Sequence, residues 1–168
     1  MPFSLYDVSL GVMIPKLRML STLLAKAAAH AEAGRIDPAT LVEARLAPDM
    51  YPLSGQIQRV SDAAKFGAAR LGGLTPPIFA DTETTLPELQ ERLAKTIAFL
   101  ESVRPDQING REGETITIPL RDRQMSFTGR DYALTMVLPN FYFHVVTTYD
   151  ILRHKGLEIG KRDYLALA

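Results

Sequence analysis

His144 is the residue of this 168-residue chain whose type and setting bear most directly on chemistry. An imidazole titrates near neutrality, so it can move a proton, hold a hydrogen bond at either nitrogen, or ligate a metal. His144 closes the run Leu138-Pro139-Asn140-Phe141-Tyr142-Phe143-His144. Taken as a helix, the run puts His144 about 60° from the centre of an apolar stripe, half in and half out of a core. Asn140, four residues earlier, shares that side of the helix but lies further from the core. Asp49, Tyr51 and Gln56, at the start of an earlier helix, are polar groups able to face it. The candidate ligand-binding set is therefore Asp49, Gln56, Asn140 and His144. Three roles are open to His144: a satisfied residue at the edge of the core, a contact for a small polar ligand, or a metal ligand. The metal role is the weakest, because one imidazole among amides is a poor site for a divalent cation. No catalytic residue is assigned, and the cofactor is none or unknown, a divalent metal at His144 being the one candidate.

Familiar catalytic spacings are missing. There is no Glu-x-x-His pair for a di-iron centre and no His-Glu-x-x-His for a zinc protease. Gly67, Gly72 and Gly73 have no Gly-Lys-Ser/Thr partner, so there is no phosphate loop. Leu53-Ser54-Gly55 lacks the first glycine of a nucleophile elbow. Cysteine is absent, which excludes thiol catalysis, disulfides and cysteine-type zinc sites.

The elements that must position these residues are mostly helical. Leu10, Met13, Ile14, Leu17, Leu20 and Leu24 recur at three- and four-residue steps, predicting a helix from about Leu5 to Ala33 with a kink or late start at Pro15. Asp37-Pro38 is a capping signal for a short helix near Leu41 to Leu46. A second long helix is expected from about Pro52 to Leu71. Its core stripe is Leu53, Ile57, Val60, Ala64, Gly67 and Leu71, with Gln56 at the stripe's edge and Gln58 and Asp62 facing water. Its small residues suit close approach of a neighbour. Thr84 or Thr85 caps a third helix, about Leu86 to Val103, whose solvated face carries Glu88, Gln90, Glu91, Arg92 and Lys95. Between Glu114 and Thr128 apolar residues alternate instead, which predicts a β-hairpin packing Ile116, Ile118, Met125 and Phe127 on the helices, with Arg121-Asp122-Arg123 at its turn. Thr128 caps the last helix, which Pro139 should bend or split and Gly156 should end. Its inward residues are expected to be Leu134, Val137, Leu138, Phe141, Val145, Thr148 and Leu152. His30 and His154 fall near helix ends and read as surface residues. The tail after Gly156 carries Leu157, Ile159, Tyr164 and Leu165 and should dock. The fold class is all-α: one four-helix-bundle domain over residues 1–168, with a small hairpin before the last helix.

Apolar residues make up 46% and charged residues 23%, the balance of a globular domain that can bury a core. Acidic and basic residues number 19 each, so no net field draws nucleic acid or an anionic membrane. With no signal-peptide pattern and no apolar run judged long enough to span a bilayer, a cytoplasmic location is expected. The partners expected are a small-molecule ligand and a second copy of the chain. The dimer expectation rests on Phe141-Tyr142-Phe143, whose side chains leave a helix in three directions, and on Met136, Phe143 and Val146 as an apolar patch.

Four segments together resemble a known family. They are Arg45-Leu46-Ala47-Pro48-Asp49-Met50-Tyr51-Pro52-Leu53, Phe127-Thr128-Gly129, Leu138 to His144, and Gly160-Lys161-Arg162-Asp163-Tyr164. In order and over nearly the whole chain, they are similar to the domain family of unknown function numbered 1993, placed among the DinB-like metal-dependent four-helix bundles. The resemblance implies three metal histidines, one in the second helix and two spaced by four in the last, and a Leu-Arg-x-x-Gly end to the last helix. Leu152-Arg153-His154-Lys155-Gly156 matches that end. Counting back, His144 falls at the second last-helix histidine, Asn140 at the first, and Gln56 near the second-helix one. Two of three imidazoles are thus replaced by amides. The implied picture is a DinB-like bundle with a degenerate metal site and a pocket for a small polar ligand. The alternatives are a homodimeric interaction module, or a metal-dependent transferase or hydrolase of the DinB type.

Overall fold

A computed structural model describes residues 3–120 and 122–167, Leu120 by its backbone only. Arg121, expected in the hairpin turn, lies outside the described residues. The first helical run is broken not at Pro15 but at Ser9. A short helix α1 (Leu5–Val8) ends there and α2 (Leu10–Glu32) begins. Ser9 leaves helical geometry at φ −117° and ψ −89°, and its hydroxyl donates to the carbonyl of Leu5, one turn back. Pro15 is carried on the exposed side of α2, where a lost backbone hydrogen bond is easily made up by water. By length and composition Leu5–Glu32 is apolar enough to cross a membrane, contrary to the expectation above, but half of its most apolar window is buried inside the bundle. Alanines between the core leucines raise its average hydropathy.

Helix α3 (Pro38–Val42) is capped by Asp37, whose carboxylate accepts from the Thr40 backbone N–H at 2.8 Å. Helix α4 (Leu53–Gly72) follows the Ala47–Pro52 turn and ends at Gly73 in the left-handed conformation. Helix α5 (Leu86–Ser102) opens on a capping box between Thr85 and Glu88. A short helix α6 (Pro105–Ile108), not expected from the sequence, leads to strands β1 (Thr115–Leu120) and β2 (Arg123–Thr128). The strands are antiparallel, with Ile116 opposite Phe127 and Ile118 opposite Met125. Ile118 is buried and the other three are partly buried against the core, as the alternation required.

The last helical run has three parts: α7 (Gly129–Asp131), a π-helical segment (Tyr132–Val137), and α8 (Leu138–His154). The π turn stands directly before Pro139. Proline has no N–H to give and crowds the carbonyl four residues back, and a wider turn relieves both. The change of pitch shifts the phase of everything before it. Leu134, expected inside, is 46% exposed, and Leu138 is only partly buried. Val137, Phe141, Val145, Thr148 and Leu152 are buried as expected.

Helices α2, α4, α5 and the α7–α8 run form the bundle. Helix α4 packs on both α5 and α8, and α2 packs on α5 and α8. At Gly67 the last run comes so near that an added Cβ would stand 2.6 Å from Val137 Cγ1, the close approach that α4's small residues suggested. The tail docks on α2 through buried Leu157 and Ile159 and through Lys16 Nζ, which donates to the Tyr164 carbonyl at 2.8 Å. A last short helix α9 (Lys161–Tyr164) leaves Leu165 43% exposed, so that residue does not dock.

Candidate functional site

Gln56 stands in the first turn of α4 and His144 in the middle of α8, and the packing of those two helices brings the side chains together. The pair is buried, with Gln56 1% and His144 8% exposed. Gln56 Nε2 donates to the Tyr51 carbonyl at 3.1 Å. That bond turns Gln56 Oε1 toward His144 Nδ1, 2.7 Å away. An amide oxygen only accepts, so Nδ1 must carry the proton and the lone pair of the neutral ring lies on Nε2. Among the described residues Nε2 has no hydrogen-bond partner, yet it is not one of the buried unpartnered atoms. It therefore keeps an edge toward solvent. Phe143 packs edge-on against the ring with centroids 5.2 Å apart.

Burial holds the His144 pKa below its ordinary value, and the positive charge of Arg59 pushes it the same way. His144 is thus neutral at pH 7. An unfolded chain takes up a proton on this residue near pH 6.5 while the folded chain resists. Stability is therefore full above that pH and declines below it, levelling once the folded imidazole is itself protonated. His144→Gln keeps a hydrogen-bond donor for Gln56 and removes the titration. Urea melts between about pH 7.5 and pH 5 should show a shallower loss of stability in the variant than in the wild type, by up to one proton of slope.

The other two candidates do not join the pair. Asn140 is exposed one turn before His144 and lines a neighbouring cleft. Asp49 is exposed in the turn before α4 and makes no hydrogen bond to Gln56, Asn140 or His144 among the described residues. Its segment reaches the site instead through the Tyr51 carbonyl.

The cleft has a volume of about 270 Å³. One wall is the α4 stripe Arg59, Asp62, Ala63, Phe66 and Arg70; the other is Ile118 of β1, Tyr132, Met136 and Val137 of the π segment, and Asn140. Arg70 Nη1 donates to the Tyr132 hydroxyl at 2.9 Å, tying the two walls. Arg59 lies three residues after Gln56 and Asn140 four before His144, so the cleft ends about one helical turn short of the pair, neither member of which lines it. Met136, expected in an exposed apolar patch, belongs to this cleft. The arginines and Tyr132 were missed in the sequence. A signal existed: Gln56, Arg59, Ala63, Phe66 and Arg70 follow steps of three and four, a second stripe beside the core stripe of α4.

The family model of a domain of unknown function, DUF1993, matches residues 5–165. The chain belongs to this family. It is also similar to a DinB family protein from Shewanella denitrificans, whose crystal structure shares 38% sequence identity and superposes with a TM-score of 0.86, covering 96% of this chain and 91% of that one. No curated protein matches. The DUF1993 chain therefore shares its fold and ancestry with DinB proteins, and the metal site implied for that fold can be tested against the residues present. The residues that the resemblance places at or near the three ligand positions are Gln56, Asn140 and His144. Gln56 Oε1 is already the acceptor for His144 Nδ1, and Asn140 stands outside the pair. Among the described residues no three His, Cys, Asp or Glu side chains converge. One imidazole with amides does not fit a divalent cation.

Proposed function

We propose that this DUF1993 protein binds a small polar ligand, without a resident metal, in the cleft between α4 and the last helical run, with His144 Nε2 as an acceptor just beyond its end. One observation carries the reading: the chain from the Tyr51 carbonyl through the Gln56 amide to His144 Nδ1 fixes one tautomer and leaves a bare, partly accessible lone pair. A nitrogen aimed at solvent and fixed as an acceptor is open to a ligand's donor as well as to water. A hydrogen bond that fixes one ring nitrogen in this way sets the role of the other, as in histidines that act as acceptors or bases.

The test is a fragment screen followed by ¹⁵N spectroscopy of the histidine ring. A hit that occupies the cleft should shift Nε2 of His144 and the side-chain amide of Asn140. His144→Gln should weaken it about fivefold, the loss of one neutral hydrogen bond at a partly open site. Hits that leave Nε2 unmoved and bind His144→Gln as tightly as wild type would count against the reading.

A second reading, a homodimer, draws support from Phe143 and Val146. They are 58% and 41% exposed on the outer side of α8, and Tyr51 near the same pair is 55% exposed. Singly exposed apolar residues are common, whereas a connected patch marks an interface. Sedimentation over a concentration series, with Phe143→Asp as the interface variant, decides it: a monomer at all concentrations ends this alternative.

A further inference from the structure

The charges around the cleft do not cancel. Asp62 is held by three cations: Lys65 at 2.8 Å, Arg92 at 3.1 Å and Arg59 at 3.2 Å. Arg92 also engages Asp81 at 3.0 Å and Glu83 at 2.8 Å, and Arg59 engages Asp81. Three cations thus meet three carboxylates and the network is neutral. Arg70 stands apart from it. Among the described residues it has no carboxylate partner; its guanidinium touches only the Tyr132 hydroxyl and the Phe66 ring, 5.4 Å away. His144, neutral, adds no charge. The cleft therefore carries one uncompensated positive charge, on a planar fork that matches a carboxylate. Beside it lie Phe66, Ile118, Met136 and Val137, an apolar lining, and the exposed amide of Asn140.

We propose that the ligand is a small monocarboxylate with an apolar or aromatic body, its carboxylate on Arg70 and its body against Phe66, Ile118 and Met136. This rests on the cleft reading above but fills the opposite end: Arg70 lies fourteen residues, about 21 Å, along α4 from Gln56, so a one-ring acid there does not reach His144. One unpaired guanidinium balances one negative charge, which disfavours a phosphate dianion. The volume, at the small end of ligand clefts (about 300 to 1,000 Å³), disfavours anything larger than one ring and a short chain.

Titration calorimetry with benzoate, phenylacetate and hexanoate, with benzamide and inorganic phosphate as comparisons, tests it. Arg70 is exposed, so at least one carboxylate should bind more tightly than benzamide by about threefold, the size of an ion pair open to solvent. Adding salt should narrow the gap. Arg70→Met, which keeps the aliphatic stem, should abolish the gap by weakening the acids more than benzamide. Arg70→Lys, with charge but no fork, should keep part of it, and melting curves confirm that both variants fold. If benzamide binds in the cleft as tightly as the acids, or phosphate binds tighter, the monocarboxylate assignment falls and the cleft-ligand reading stands. If no acid binds at up to about 10 mM, the monocarboxylate assignment falls, and the His144 reading is decided by its own screen.

Discussion

Arg92→Leu is expected to destabilise the protein by about 3 kcal/mol, measured by urea unfolding at pH 7. The guanidinium is 1% exposed and holds three carboxylates together with the Ala80 carbonyl, at 3.1 Å from Nη1. Two of those carboxylates and the carbonyl belong to the segment between α4 and α5, which Arg92 straps onto the helices. Phe79 of that segment lies over both Arg92 and Lys65, with the Lys65 Nζ 4.8 Å from the ring centre. Removing one partner of a buried ionic group leaves the others uncompensated, and breaking such a pair costs about 3 to 5 kcal/mol. The lower end applies because Asp81 is 43% exposed and can rehydrate. Combining Arg92→Leu with Asp81→Asn and Glu83→Gln should recover part of the loss, which separates stranded charge from lost packing. Burial alone raises the Glu83 pKa, but hydrogen bonds from Arg92 and Gln58 outweigh it and hold the group below the usual carboxylate range. Its contribution is therefore present above about pH 4.5, fades as pH falls through the folded pKa, and should be missing from the acid limb of Arg92→Leu.

Arg92 also shows where sequence patterning fails. Its position on α5, among Glu88, Glu91 and Lys95, marks a solvated face, and Asp62 and Gln58 lie on the polar side of α4. Both assignments are correct for isolated helices. The segment 73–85 covers those faces, and it covers them with charge, so the polar residues are enclosed without any change in helical phase. Periodicity reports which side of a helix is polar; it is blind to a loop that lies over that side. The caps were legible because Asp37, Thr85 and Thr128 act within one turn, where sequence and geometry coincide. The hairpin was legible for the same reason. Leu134 was misplaced because a single π turn before Pro139 changes the pitch, and an α projection run backward through it accumulates the error.

The site divides along the same line. Gln56 and His144 could be paired because each lies one step from a core stripe, and two such edges meet when α4 packs on α8. Asp49 could not be placed, since a turn has no period to project. Arg59, Arg70 and Tyr132 needed the tertiary contact that makes two walls of one cleft. The charge balance that singles out Arg70 follows from the strap: without Asp81 and Glu83 drawn onto Arg59 and Arg92, three cations would share Asp62 and no one of them would stand out. Arg92→Leu should accordingly weaken carboxylate binding as well, because Asp62 is then less well compensated beside the ligand.

Gly129→Ala is expected to cost about 3 kcal/mol, although its backbone conformation suits any residue. The obstacle is space. A Cβ there would stand 2.2 Å from the Arg111 carbonyl oxygen and 3.2 Å from its carbon, and backbone cannot swing aside as a flexible side chain does. Gly129 N–H donates to the Glu114 carbonyl at 2.8 Å and Arg130 N–H to that of Glu112 at 3.0 Å, so relieving the clash breaks the bonds that fix the hairpin base to the start of the last helical run. Each such bond contributes about 1 kcal/mol net, which with overpacking gives the figure stated. Gly113→Ala is the matched control: nothing lies within 4 Å of its added Cβ, and its effect should stay within about 0.5 kcal/mol. The consequence for function is specific. Ile118 and Tyr132, on opposite sides of that junction, are both walls of the cleft. Gly129→Ala should therefore loosen the Arg70–Tyr132 contact while leaving the Gln56–His144 pair, whose histidine lies fifteen residues further along the last helical run, with its tautomer intact. A histidine ¹⁵N spectrum that changes tautomer in this variant would mean that the pair depends on the hairpin rather than on the packing of α4 against α8.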